Sequence, residues 1–421
     1  MYYNINMKKM KEYYYHMGLK LRIYPSDKQK KIIKMNGGAS RYIYNKLVAD
    51  NNEIFVLKKS ASFSPTDKER LEFLETVHSS KSNMLAMIPF LTQKEIDSDM
   101  IDNAIQNYNA AWNQFKKVPG TSKPTFHKKD NTYSYKTSNH YGKKRDDGLR
   151  NGSIYFVDDK HIKLPKIGKI RFKGSKKLID KIINCNHEIR IGSVAVEMDN
   201  LGLCYISISL GSDFPFHDEY VKTYSSCGID LNLSNFLADS DGNIIESPKY
   251  LKQSENKLKK AQRKLSRKYE SAKKDGRKHY ECKNYQEQRL KLAKIHKHIS
   301  NQRKDFHCVV ANKLVKNHDF IFAEDLKVKN LIKNHTLAKA ISDSGWSSFL
   351  TILEWSAIKC GKTFLLVSPK NTTQTCSVCG NVSQDKIVLG QEEWNCRYCG
   401  THHIRDINAA INLKNKGLAL I

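Results

Sequence analysis

Apolar and polar residues alternate over residues 18–25, GLKLRIYP, which predicts a strand closed by Pro25. Ser26 then opens a helix, with Gln29 in the position of a capping box. The Gly37-Gly38 pair is expected to break that helix, and RYIYNKLVADNNEIF to start another. Residues 51–117 are mostly helical in pattern. Within them Tyr108, Trp112 and Phe115 follow at spacings of four and three and share one helix face, for which core packing is the ordinary explanation. Residues 118–150 are polar, basic and interleaved with aromatics, with little apolar surface to bury. They predict a loop-rich surface, either simply solvated or facing a ligand whose bases stack while Lys and Arg hold phosphates. Short alternating runs follow, SIYFV, HIKLP, GKIRF, IRIGSVAVEM and LCYISISL, separated by Gly, Asn and Asp turns. They predict a small antiparallel β domain or barrel over roughly 150–212, open to the strand near residue 20 with the helical region inserted between.

From Cys227 the pattern shifts. CGIDL reads as a buried strand, and NFLADSDGNIIES as two strands joined by an Asp-Gly hairpin turn. Leu251, Leu258 and Leu265 recur at seven on a helix loaded with Lys and Arg, and Gly276 interrupts it. Ile295, Ile299, Phe306 and Val310 carry a second helix. FIFAEDL is a short strand ending in acids, GWSSFLTILEWSAIKCG an amphipathic helix and TFLLVSP a further strand. The order βββ-α-β-α-β is that of a ribonuclease-H-like domain, although other α/β folds share it.

The length of 421 residues leaves room for two to four domains, so both patterns fit in one chain. Charge narrows the partners. Seventy-two Lys and Arg stand against 43 Asp and Glu, a net +29 that repels itself unless a polyanion neutralises it. Nucleic acid is the first candidate and an anionic membrane surface the second. No apolar run approaches the roughly 20 residues that span a bilayer, and the basic N-terminus has no apolar core after it, so it is not a secretory signal. A cytoplasmic chain is the expectation.

Six of the ten cysteines (Cys185, Cys204, Cys227, Cys282, Cys308 and Cys360) are scattered through strand- or helix-like segments and read as reduced, mostly buried residues. The other four are clustered. Cys376-Ser-Val-Cys379-Gly is followed, after sixteen residues, by Cys396-Arg-Tyr-Cys399-Gly. A two-residue spacer lets both thiolates of one turn face a single metal, and two such turns close a tetrahedron, so one structural Zn²⁺ is expected. Gly380 and Gly400 follow where the backbone must swing to positive φ. A redox CxxC is the alternative, and two matching pairs argue against it. His402 and His403 read as surface or nucleic-acid-facing residues.

Three acids stand where phosphodiester hydrolysis needs converging carboxylates to hold hard cations. Asp230 lies inside an apolar strand, Glu324 ends the strand FIFA, and Asp406 opens the helix IRDINAAINL. Singly, each has a plainer explanation: a satisfied buried acid, a loop residue, a helix cap. Asp325, beside Glu324, is the obvious rival and points the other way if the strand continues. Turn chemistry accounts for Asp239 and Asp241.

These motifs resemble the TnpB, or OrfB, family of transposon-encoded nucleases, and the chain is similar to the miniature type V CRISPR effectors related to them. LRIYPSDKQ with GGASRYIYNK looks like the family's N-terminal region and KPTFHKK like its central basic segment. GIDLNLSNFLADSDG resembles its first RuvC motif and AEDL the second. TTQTCSVCG, the second CxxC and RDINAAINL resemble its zinc ribbon and third RuvC motif. Where the family often has Asp two positions before the third acid, this chain has Ile404. The resemblance implies a multidomain α+β chain. A β-barrel, wedge-like domain would cover residues 1–25 and 120–222, and a helical recognition insertion 26–119. A RuvC-like nuclease domain would cover 223–370 and 401–421, with a zinc ribbon at 371–400. It further implies that Asp230, Glu324 and Asp406 bind two catalytic Mg²⁺ ions, that Cys376, Cys379, Cys396 and Cys399 bind the zinc, and that the partners are a guide RNA and double-stranded target DNA. Cutting would occur beside a short adjacent motif, in a prokaryotic cytoplasm at the nucleoid, with one or two copies per guide. The rival is a DNA-binding transposition accessory or regulator that uses no guide.

Overall fold

In the computed structural model the chain folds as two units, Met1–Phe216 and His217–Ile421. The structure describes residues 8–421 except 61–63, 78–79, 130–131, 142–151, 186, 217–219, 332 and 384–390.

The first unit opens with β1 (Tyr15–Tyr24), whose Leu19, Leu21 and Ile23 point inward between exposed Lys20, Arg22 and Tyr24. Ser26 caps α1 (Asp27–Lys59): its Oγ accepts from Gln29 N at 3.3 Å, and Gln29 Oε1 accepts from Ser26 N at 2.9 Å. The expected break at Gly37-Gly38 does not occur, and one helix runs through both. The reason lies across the interface. A Cβ on Gly37 would stand 2.7 Å from Tyr133 Cβ, so the glycine is there for close approach of a strand rather than for a turn. Burial of Ile33, Ala39, Ile43 and Leu47 on either side offsets the propensity loss of about 1 kcal/mol per glycine.

Helices α2 (Pro65–Val77), α3 (Lys81–Met87) and α4 (Ser98–Lys117) follow. Tyr108 is fully buried and Trp112 partly so, as core packing requires, while Phe115 stays partly exposed at the rim. Residues 118–150 are not loop throughout, because β2 (Tyr133–Ser138) lies within them. Its inward side chains, Tyr135 and Thr137, are polar enough to hide the alternation. The basic tail at 142–150 lies outside the described residues.

Then come β3 (Tyr155–Asp158), β4 (His161–Leu164), β5 (Gly168–Lys173), α5 (Lys176–Ile183), β6 (Ile189–Met198) and β7 (Cys204–Ser212). The seven strands are ordered β2-β6-β7-β1-β5-β4-β3, every neighbour antiparallel. This is a half-barrel, since β2 and β3 end the order and no pairing joins them among the described residues. The first strand takes a central place, between β7 and β5. Sheet and helices share one apolar core.

In the second unit β8 (Ser226–Leu231), β9 (Leu237–Asp239) and β10 (Ile244–Ile245) form an antiparallel meander. A helical hairpin, α6 (Tyr250–Lys274) and α7 (Lys283–Asn317), leads to β11 (Phe320–Glu324). Helices α8 (Val328–Leu331), α9 (His335–Ser344) and α10 (Trp346–Lys359) precede β12 (Thr363–Val367). The sheet order β10-β9-β8-β11-β12, with β11 parallel to both β8 and β12, is the ribonuclease-H-like arrangement. A two-stranded ribbon, β13 (Glu393–Asn395) and β14 (His402–Ile404), runs directly into α11 (Arg405–Leu418). Entry to the sheet is pinned by a buried ion pair between Lys362 and Asp319, whose carboxylate also accepts from the backbone N–H groups of Thr223 and Tyr224 at 2.9 and 2.7 Å. Of the scattered cysteines only Cys204 and Cys227 are buried. The other four are half-buried, three of them at element ends or in loops, where they face fewer neighbours than the sequence pattern suggests.

Candidate active site

Three elements bring the acids together. Asp230 is the fifth residue of β8 and only 8% exposed. On the adjacent parallel strand Ala323 pairs with Ile229, so Glu324, which ends β11, comes beside Asp230. The third element, α11, lies against both strands because two glycines admit it. A Cβ on Gly228 would stand 2.0 Å from the Ala410 carbonyl oxygen, and one on Gly417 would stand 2.1 Å from the Phe322 ring. This contact sets Asp406, in the first turn of α11, over the strand ends.

The electrostatics follow from that convergence. Burial, then the Glu324 and Asp406 carboxylates, push the Asp230 carboxyl up to about 8, and Arg405 opposes the shift. Burial also raises Glu324. Asp406 is held on both sides: Asn232 Nδ2 donates to its Oδ2 at 2.9 Å, and Arg405 Nε and Nη2 reach its Oδ1 at 2.9 and 2.8 Å. A buried carboxylate raised by its acidic neighbours is a site a hard divalent cation would relieve, and the donor set is all oxygen, as such cations require. The acids are more widely spread than the cysteines below, which alone among the described residues have every ligand atom within 4.8 Å of the others.

The rival acids are engaged elsewhere. Asp325 pairs with Lys327 at 3.1 Å and is half-exposed. Asp239 Oδ1 accepts the Asp241 and Asn243 N–H groups at 3.0 and 2.8 Å, which is turn chemistry. Asn232 was not singled out by sequence reasoning. Its spacing of two from Asp230, which puts both on one side of an extended segment, was the available signal.

The cysteine cluster is a second centre. Cys376 Sγ lies 3.6 Å from Cys399 Sγ, and Cys379 Sγ lies 3.6 Å from Cys396 Sγ. Zn–S bonds of about 2.3 Å in a tetrahedron require sulfurs about 3.8 Å apart, so the four thiolates fit zinc. Gly380 and Gly400 have φ of +76° and +71°, the swing that the sequence predicts after each pair. The Thr401 hydroxyl, then its backbone N–H, lower the Cys399 thiol to about 6, whereas burial raises Cys376 to about 11. His403 is not a surface residue. It is 6% exposed, packs on Trp394 with ring centroids 4.7 Å apart, and brings Nε2 within 3.0 Å of Cys376 Sγ, because alternation along β14 turns it inward while His402 faces out.

Three family descriptions match separate stretches of the chain: an OrfB "Probable transposase" over residues 207–335, a "Cas12f1-like, TNB domain" over 346–413, and an OrfB "Helix-turn-helix domain" over 10–56. The chain carries OrfB, or TnpB, family domains. In this chain residues 10–56 form β1 and most of the single helix α1. A Streptomyces pristinaespiralis protein provisionally named an RNA-guided DNA endonuclease is 32% identical over 54% of the chain, a stretch equal to 53% of that relative's length. InsQ of Escherichia coli K12, provisionally named in the same way, is 25% identical over 96% of the chain and 92% of its own length. The fold matches the Cas12f1 chain of a cryo-EM complex with sgRNA and target DNA, with a TM-score of 0.56 at 14% identity, covering 95% of this chain and 99% of that one. Among the described residues no helix is long and apolar enough to cross a membrane.

Proposed function

We propose that this chain is an RNA-guided DNA endonuclease that cuts DNA beside a short adjacent motif with one RuvC-like site. The observation that carries this reading is the meeting of Asp230, Glu324 and Asp406 at the ends of β8, β11 and α11. Asp230, between the other two, is the residue that both outer acids influence. Those three carboxylates would hold two Mg²⁺ ions, which supply an activated water and stabilise the departing oxygen when bound. Asn232 and Arg405 fix the rotamer of Asp406, and the Arg405 guanidinium is the positive charge that offsets the Asp230 carboxyl. The four cysteines hold one structural zinc.

The remaining parts take roles that their chemistry supports. The half-barrel, residues 1–25 and 120–222, and the helices of 26–119 bind guide, adjacent motif and heteroduplex. The nuclease domain is 223–370 with 401–421, and the ribbon, 371–400, contacts target nucleic acid. Tyr44 stacks on His127 with centroids 4.0 Å apart, and Asn45 exchanges two hydrogen bonds with the His127 backbone, so the basic segment around KPTFHKK is held against α1 rather than free. Sequence recognition passes to base pairing, and the protein reads backbone and shape.

Asp230→Ala should abolish Mg²⁺-dependent DNA cleavage and leave bound RNA intact. Cutting by that variant at the wild-type rate contradicts the assignment. Sequence-specific DNA binding without any cleavage by the wild type favours the transposition accessory instead.

A further inference from the structure

Helix α11 does more than carry Asp406. One turn apart on it stand Asn408 and Asn412, both buried. Asparagine inside a helix is disfavoured, and a buried amide left without partners costs about 1–3 kcal/mol. Both amides are satisfied, and both by the same short segment. Asn408 Oδ1 accepts from Ser377 N at 2.9 Å, and its Nδ2 donates to the Thr375 carbonyl at 2.8 Å. Asn412 Nδ2 donates to the Thr372 carbonyl at 2.9 Å and to Thr375 at 2.6 Å. Thr375 and Ser377 flank Cys376, the buried member of the first cysteine pair. Lys416 adds a bond to the Lys370 carbonyl. On the side of the second pair, Arg405 N donates to Glu392 O at 2.8 Å and its Nη1 to Gln391 O at 3.2 Å, while the same guanidinium holds Asp406. Elsewhere on its surface α11 is pressed against the sheet at Gly228 and Gly417.

We infer that Asn408 and Asn412 are positioning residues that couple the zinc ribbon to the acidic site. The segment 372–377 has no helix or regular strand of its own; it is a run of turns held by Thr375 N on the Asn371 carbonyl at 3.0 Å, by an isolated bridge from Thr375 to Val382, and by the closure of Cys376 and its three partners. Through the two asparagines a closed ribbon holds the start of α11, and so the carboxylate of Asp406, in place relative to Asp230 and Glu324. An open ribbon leaves that end of the helix tied by its contact with the sheet and by the bond from Asn232 to Asp406. The inference rests on reading the three acids as a divalent-cation site.

Mn²⁺ binding to the full chain, followed by electron paramagnetic resonance, tests it together with zinc content. The double variant Asn408→Ala/Asn412→Leu should keep one zinc per chain and bind Mn²⁺ about tenfold more weakly, the scale of lost outer-shell support. Zinc removal from the wild type should weaken Mn²⁺ binding similarly, and zinc removal from the double variant should cost clearly less than it costs the wild type, because the asparagines carry most of the path that both changes cut. Unchanged Mn²⁺ affinity in the folded double variant, or fully additive losses, overturns the coupling, even if the melting temperature falls. Should the double variant not fold, the single variant Asn408→Ala, which removes only the bonds to Ser377 and Thr375, carries the same comparison. Asp230→Ala separates the two readings. If Mn²⁺ binding survives it, the acid-site reading falls and the coupling with it. If binding needs Asp230 yet ignores zinc and the asparagines, only the coupling falls.

Discussion

At the residue scale the main consequence concerns Asp230. Without metal its folded-state value near 8 lies far above that of an unfolded aspartate, about 3.9. Between those values the folded chain binds the proton that the unfolded chain has lost, so stability falls as pH rises, by at most about 1.4 kcal/mol per pH unit. Asn mimics the protonated carboxyl. Asp230→Asn is therefore expected to be more stable than wild type at pH 8 in chelator, with the advantage gone near pH 4. Parallel melting curves for the two proteins across that range would count against the burial and crowding described for this site. The buried pair of Lys362 and Asp319 gives a second case. Lys362→Met strands a buried carboxylate and should cost about 3–5 kcal/mol in urea denaturation. Much of the acidic site was legible at this scale, since a charge inside CGIDL and a charge ending FIFA are conspicuous against apolar neighbours. The residues around the acids were not. Asn232, Asn408 and Asn412 resemble ordinary turn or helix-surface asparagines until their partners, 31 to 174 positions away, are in place.

At the element scale the lesson comes from glycine. A Gly-Gly pair reads locally as a helix break, yet α1 continues through it, because the requirement arises from β2, which the polar run YSYKTS concealed. The two glycines consequently differ. Gly37→Ala should destabilise by about 1–3 kcal/mol through overpacking against Tyr133. Gly38→Ala meets no atom within 4 Å and should stabilise by roughly 0.5–1 kcal/mol through helix propensity. Thermal melts of the single variants decide this, and shifts of the same sign would refute the explanation. By contrast β1, the capping box of α1, the Asp-Gly hairpin and the heptad helix were readable because local rules and tertiary contacts agree there. The hairpin α6–α7 is the chain's most basic element, with 21 Lys and Arg against six Asp and Glu in residues 250–317, a net +15. Lys259, Arg263 and Arg267 line one shallow groove on it. If that face tracks a phosphate backbone, Arg263→Ala/Arg267→Ala should lower the slope of log affinity against log salt by about 2. An unchanged slope in anisotropy titrations would make it a merely solvated face.

At the scale of the whole molecule, a chain with net charge +29 combines a half-barrel unit with a ribonuclease-H-like unit that carries its own zinc ribbon. The surplus charge explains why such a chain needs a polyanion but not which one. Composition could not separate a guide RNA from target DNA, and family motifs rather than charge brought the guide into the picture. The most direct measurement expresses the chain with its flanking genomic DNA, purifies it and sequences the RNA that stays bound. The account predicts one abundant species ending in a variable segment, and cutting of DNA that matches this segment. Heterogeneous cellular RNA, or none, would contradict RNA guiding and leave a DNA-binding protein or nuclease that works without a guide.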